Sequence, residues 1–191
     1  MNILFVKHGD KYSYKNVNYL VEVLKLHIDG NYYCVTDDPT GVNCETIPCG
    51  PNLKVWWNKL WLFNLDLPGQ NLYFDLDTRV NGNPLPHLRW DGLTLVDCPW
   101  KDDIIINHNY DVKINSQVMT WTGQEQKHIW DHFITNADYF MRKYKGIDRF
   151  IVHEGIDHYT FSWDLIHSEK YSEYLGQPVT TFEELDATAV K

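Results

Sequence analysis

The opening of the chain constrains its fold class more than any other stretch. Ile3-Leu4-Phe5-Val6 is a continuous apolar run stopped by Lys7-His8-Gly9-Asp10, the pattern of a strand buried on both faces and followed by a loop. Residues 14–26 then place Val17, Leu20, Val21, Val23 and Leu24 close to the helical period. Asp29-Gly30-Asn31 turns the chain into Tyr32-Tyr33-Cys34-Val35-Thr36, a second strand that stops at Asp37-Asp38-Pro39-Thr40-Gly41. Strand, helix and strand in this order have one economical arrangement, a right-handed crossover between parallel neighbours.

The alternation continues downstream. Ile47 marks a short third strand, and residues 54–63 suit a helix whose Val55, Trp56, Leu60 and Phe63 face a sheet, with Lys59 on its polar side or edge. After the turn at Pro68-Gly69 comes Leu72-Tyr73-Phe74-Asp75-Leu76-Asp77-Thr78-Arg79-Val80, read as a buried strand ending in two carboxylates. This order predicts an α/β fold with an open, mostly parallel sheet, in which ligands collect outside the carboxyl ends of the strands. Lys7-His8, Thr36-Asp37-Asp38 and Asp75-Leu76-Asp77 each end a strand in polar residues. One shared cleft would explain all three.

Two acids at the end of a core strand repel each other and resist dehydration, so a compensating group is expected. Period-two geometry puts Asp75 and Asp77 on one side of an extended chain, where a hard divalent cation is the natural partner. An isolated D-x-D is as often a solvated acidic turn, and the rest of the chain has to decide between the two. Beyond Pro84, residues 93–96, 104–106 and 112–121 read as strands, 124–144 as the longest helix, 150–152 as another strand, and 180–185 as a weak helix start.

At 191 residues the chain is sized for one domain. Its formal charge of -9 leaves no basic stripe for phosphate neutralisation, which excludes a nonspecific nucleic-acid binder. An acidic chain that binds a phosphate-bearing ligand needs local Lys or Arg, or a metal. Cys34, Cys44, Cys49 and Cys98 contain no C-x-x-C pair, and although Cys44 and Cys49 could close a small loop, free thiols are expected. The amino-terminal apolar run is too short for a signal segment or membrane span, so the expected compartment is cytoplasmic. Trp56, Trp57 and Trp61 are read as helix–sheet packing, and His27, His87, His108 and His128 as surface or core-edge residues.

The order Val6-Lys7-His8-Gly9-Asp10-Lys11-Tyr12, then Val35-Thr36-Asp37-Asp38-Pro39, Trp57-Asn58-Lys59-Leu60, Leu72-Tyr73-Phe74-Asp75-Leu76-Asp77 and Asn115-Ser116-Gln117-Val118-Met119 resembles nucleotide-sugar glycosyltransferases of the GT-A fold, especially family-eight-like bacterial and phage members. The resemblance implies the nucleotide-diphospho-sugar transferase fold, with residues 1–83 as a nucleotide-binding half and 84–191 as an acceptor-side half. It implies a UDP- or GDP-sugar donor, Mn²⁺ or Mg²⁺, and a glycan, lipid or protein acceptor. Asp75 and Asp77 become the metal-binding pair, with Asp75 also at the donor. Lys7, Tyr12, Thr36 and Asp38 border the nucleotide, and Lys59 faces the donor phosphate or sugar. Asn115 and Ser116 match a segment beside the donor sugar, where Gln117 replaces the family's small residue. Asp148 matches the acidic segment near the reacting centre. Family members add a late His to the metal, for which His167 is the choice here, with His153 and His158 as the other candidates. Asp148, Lys59 and Asn115 are thus the candidate catalytic residues of a hexosyltransferase, retaining or inverting.

Two rival readings remain at this stage. Asp75-Leu76-Asp77-Thr78 resembles the haloacid-dehalogenase phosphatase motif, but that motif wants Thr or Val where Arg79 stands and normally opens its domain. A non-catalytic nucleotide-sugar-binding protein of the same fold is the other.

Overall fold

The computed structural model describes residues 1–51, 53–80, 82–98, 111–161 and 182–184. β1 (Asn2–Lys7), α1 (Tyr14–Lys25) and β2 (Asn31–Thr36) form the parallel unit expected from the sequence, and β3 (Glu45–Pro48) adds in parallel to β2. Ser13 starts α1 with a capping box: its hydroxyl accepts from Lys15 N–H while Asn16 reaches back to the Ser13 N–H. A 3-10 helix (Val55–Asn64) leads into β4 (Gln70–Phe74), which lies parallel to β1 on the side away from β2. The chain continues through β5 (Thr78–Val80), β6 (Thr94–Asp97), β7 (Ile114–Thr122), α2 (Lys127–Ile134), α3 (Ala137–Lys143), α4 (Ile147–His153), β8 (Tyr159–Phe161) and β9 (Phe182–Glu184).

Seven of these strands make one sheet in the order β3-β2-β1-β4-β7-β6-β8, in which β7 runs against both of its neighbours. β5 and β9 form a separate antiparallel pair. Both faces of the large sheet are buried, and strand periodicity sorts its side chains between them. Leu4, Tyr73, Met119 and Trp121 join the aromatic cluster under the 3-10 helix and α2 to α4. Ile3, Phe5, Leu72, Phe74 and Val118 join the aliphatic cluster under α1, with Val17, Leu20, Val21 and Leu24.

The structure corrects several expected elements. Residues 55–64 are 3-10 rather than α-helical: a three-residue repeat stacks Trp57, Leu60 and Phe63 in one buried row, and Trp57 lies flat on Phe133 with ring centroids 5.3 Å apart. The long helix divides at Thr135 and Asn136, where the Thr135 hydroxyl bonds the His132 carbonyl and Asn136 leaves helical geometry. Residues 150–152 belong to α4, since a short apolar run does not by itself distinguish strand from buried helix, and here Phe150 packs edge-on to Phe133 and Phe140. Phe182–Glu184 is strand, not a helix start. The expected strand at 104–106 lies outside the described residues.

Glu154, just past α4, ties the helical layer together. Its carboxylate accepts from Tyr144 and contacts Lys143 Nζ (3.0 Å) and His132 Nε2 (2.9 Å). These contacts, the Tyr144 hydroxyl first, hold its carboxyl down at about 2. A lowered folded pKa gives stability that is present above the ordinary carboxylate range and is lost as pH falls toward about 2. Glu154→Gln is therefore expected to melt below the native chain at neutral pH, and that gap should narrow on acidification from pH about 4.5. Melting curves across this range check it; a constant gap would contradict the ionic role.

Candidate active site

β4 ends at Phe74, and the Asp75 N–H donates to the Gln117 carbonyl of β7 (2.7 Å). The chain then reverses in a tight turn closed by Thr78 N–H on the Asp75 carbonyl (3.1 Å). Asp75 and Asp77 thus sit in a turn rather than along an extended strand, which corrects the period-two argument. They nevertheless share a cavity of about 360 Å³, whose walls include Val6, His8, Lys11, Tyr12, Lys59, Tyr73 and Trp56.

Each carboxylate has its own set of partners. Lys59 Nζ straddles Asp75, 2.6 Å from Oδ1 and 2.8 Å from Oδ2, and the Tyr73 hydroxyl donates to Oδ1. Burial pushes the Asp75 carboxyl up to about 6; Lys59 opposes that rise and the Asp77 charge adds to it. Asp77 accepts from the Tyr12 hydroxyl (2.5 Å), with Lys11 Nζ 3.8 Å away. The loop carrying Lys11 and Tyr12 begins at Gly9, whose φ of +68° suits glycine and whose N–H donates to Asp37 (2.9 Å). Lys59 was expected on a polar side or edge, but it is 9% exposed and its Nζ reaches inward to Asp75 and Ser116.

Lys59 also connects this cavity to a second one. Its Nζ lies 3.5 Å from both the carbonyl and the hydroxyl of Ser116. Ser116 N–H donates to Asp148 Oδ1 (3.1 Å), and Asn115 Oδ1 accepts from Gln117 N–H (2.8 Å). Asn115 and Ser116 lie where the β6–β7 register shifts, an irregularity of the kind that re-aims side chains beside sites. Lys59, Asn115, Ser116, Asp148, Lys145 and Trp56 wall this second space of about 230 Å³.

The expected residues therefore divide into groups. Tyr12, Lys59, Asp75 and Asp77 meet in the first cavity, and Asn115, Ser116 and Asp148 meet Lys59 in the second. Lys7, Thr36 and Asp38 are not among the walls of either; Thr36 Oγ instead closes a turn on Asp38, and Thr40 N–H holds the Asp38 carboxyl below its ordinary range. His153 pairs with Asp111 (2.7 Å) and His158 contacts the Ile156 carbonyl, so neither stands at the Asp75 cavity. His167 lies outside the described residues.

His8 stands at one of the strand ends expected to share a cleft, whereas Lys11 and Tyr73 had been given no role at the cavity and Trp56 had been read as helix–sheet packing. The signal for Tyr73 was its i, i+2 spacing from Asp75, which puts both on one side of a strand end. His8 Nδ1 is buried without a hydrogen-bond partner among the described residues. The four cysteines are free thiols.

Among the described residues no three His, Cys, Asp or Glu side chains converge as a metal cage. The pair itself suits Mg²⁺ or Mn²⁺: both groups are hard oxygen donors, and their mutual repulsion favours a shared cation. Mg²⁺ is commonly held by one or two carboxylates, with substrate phosphates completing its shell.

No protein-family model and no curated protein sequence matches the chain. Solved structures do match its fold. The glycosyltransferase GlyE of Streptococcus pneumoniae TIGR4 superposes with a TM-score of 0.71 at 10% identity, over 97% of this chain and 55% of that one. The galactosyltransferase LgtC, solved with donor and acceptor sugar analogs, gives 0.66 at 10% identity over 97% and 87%. A glycosyltransferase involved in glycosylation of the major capsid of PBCV-1 gives 0.63 at 13% identity over 98% and 95%. The chain thus has a GT-A-like fold, an open and mostly parallel sheet with flanking helices, and spans about half the length of the pneumococcal structure. No helix among the described residues is long and apolar enough to cross a membrane.

Proposed function

We propose that this chain is a metal-dependent glycosyltransferase of the family-eight kind, a hexosyltransferase that moves sugar from a UDP- or GDP-sugar to a glycan, lipid or protein acceptor. The observation that carries the reading is Lys59, one buried cation touching both Asp75 in the first cavity and Ser116 in the second. The first cavity is walled wholly by residues from the amino-terminal half and would take the nucleotide diphosphate; the second draws on both halves and would take the transferred sugar and acceptor hydroxyl.

Breaking the sugar–phosphate bond leaves negative charge on the departing diphosphate, and the Lys59 ammonium is placed to stabilise it as a point charge. Mn²⁺ or Mg²⁺ held by Asp75 and Asp77, with His167 as a further ligand, would supply Lewis-acid neutralisation of the same charge. Tyr73 and Tyr12 orient the two carboxylates, as outer-shell partners of ligands do. Asn115 and Ser116 offer an amide and a hydroxyl to the donor sugar. In an inverting transfer Asp148 takes the proton of the acceptor hydroxyl; in a retaining one its bond to Ser116 N–H serves to fix the wall. The phosphatase reading is not favoured, since Arg79 stands where its motif wants Thr or Val and Asp75 follows a complete β-α-β unit rather than opening the domain.

UDP- and GDP-sugars are expected to raise the melting temperature only with Mn²⁺ or Mg²⁺ present, through binding linkage. A shift equally large in excess chelator would contradict the metal role. Slow donor hydrolysis under the same conditions separates turnover from binding alone.

A further inference from the structure

Among the described tryptophans only Trp56 is exposed. It is 50% exposed, whereas Trp57, Trp121 and Trp130 are buried and each packs against another ring. Among the described residues Trp56 has no ring partner. The residue before it, Val55, has φ +40°, a left-handed conformation that is costly for a β-branched side chain. Such strain persists where the surroundings impose it, and it concentrates at ligand clamps. The start of the 3-10 helix thus presents an indole that covers no core.

That indole walls three cavities. Two are those described above, and the third, about 390 Å³, is completed by Lys54, Val55, Trp57, Asp138, Met141 and Arg142. Asp138 and Arg142 lie one turn apart on α3. Neither their side chains nor that of Lys54 is engaged in an ion pair or hydrogen bond among the described residues. The neighbouring basic cleft differs, because its Lys143 is paired with Glu154 and its Arg149 and His153 with Asp111.

A flat aromatic wall ringed by uncommitted charges of both signs suits a polyhydroxylated ring. The C–H face of a pyranose packs on indole, its hydroxyls donate to a carboxylate, and its oxygens accept from Arg and Lys. A polyanion would meet Asp138, and an acyl chain would leave three charges dehydrated. We infer that this third cavity is a saccharide subsite, holding a sugar unit of an extended acceptor across the Trp56 indole from the donor. Calling that saccharide the acceptor rests on the glycosyltransferase reading; saccharide binding as such does not.

The test is saturation-transfer NMR on the full chain without nucleotide or divalent cation, using lactose, maltose and cellobiose, with glucose 6-phosphate and hexanoate as the competing chemistries. At least one disaccharide should receive saturation, and Trp56→Ala and Arg142→Ala should each weaken that binding about tenfold or more, the loss expected for a stacking or charge-assisted contact. Arg142→Ala lies away from the donor cavity and should keep the melting shift given by UDP- or GDP-sugar with Mn²⁺. The subsite is overturned if no disaccharide is saturated, if the anion or the acyl chain is preferred, or if Arg142→Ala binds as the native chain does, an arm that holds even should Trp56→Ala not fold. Absence of the nucleotide-dependent melting shift, with disaccharide binding intact, would instead remove the donor reading and leave the saccharide site standing.

Discussion

Asp77→Ala is expected to abolish the divalent-dependent melting shift given by UDP- or GDP-sugars while leaving the near-UV circular dichroism spectrum unchanged. The fold should survive because the side-chain partners of Asp77, Tyr12 and Lys11, lie on a loop, and Tyr12 keeps its own packing against the aliphatic core without Asp77. A ligand present at a hundredfold excess over its Kd stabilises by about 2.7 kcal/mol, on the order of 5–10 °C for a domain of this size. The whole of that shift should vanish in the variant. In the native chain the same shift should weaken as pH falls through about 6, where the Asp75 carboxyl takes up its proton and offers a cation less charge. Donor affinity unchanged by Asp77→Ala would sink the assignment of the metal pair.

Lys59→Ala should have the largest effect on stability. The Lys59 and Asp75 side chains are 11% and 23% exposed, so truncating the lysine strands a carboxylate beside Asp77 with only Tyr73 to hold it. Removing one member of a buried pair typically costs about 3–5 kcal/mol, which corresponds here to a fall in melting temperature on the order of 6–20 °C. The double variant Lys59→Met with Asp75→Leu removes both charges and should regain much of the loss, giving a coupling energy in a double-mutant cycle. A melting temperature for Lys59→Ala within a degree or two of the native value would show that the ion pair has no structural weight.

The opening β-α-β unit was legible because its apolar runs and its helical period are local patterns. Ile3 to Val6, Val17 to Leu24 and Tyr32 to Thr36 occupy β1, α1 and β2 within a residue or two of their expected limits. Residues 150–152 misled because three apolar residues fit a buried strand and a buried helix equally, and only packing against Phe133 and Phe140 chose. The 3-10 helix misled for a related reason. Val55 and Trp56 are apolar, but the three-residue repeat buries Trp57, Leu60 and Phe63 in one row, and Trp56 at the helix start is left half exposed.

Within the candidate site, Asp75 and Asp77 could be named from the residues themselves, since two carboxylates at the end of an apolar run need compensation, whereas Lys59, Asn115, Ser116 and Asp148 were named only through the resemblance to glycosyltransferases. The pairings among them could be named from neither. Lys59 and Asp75 are 16 residues apart and Ser116 is 57 from Lys59, so contact between them depends on how β1, β4 and β7 stack in one sheet. The sequence by itself determined the α/β class, the parallel opening unit and which acidic and basic side chains would require compensation. Only the tertiary structure decided that one buried lysine joins two cavities, that the Asp pair sits in a turn and that Trp56 faces open space, because long-range register and helix pitch are set by packing between distant segments.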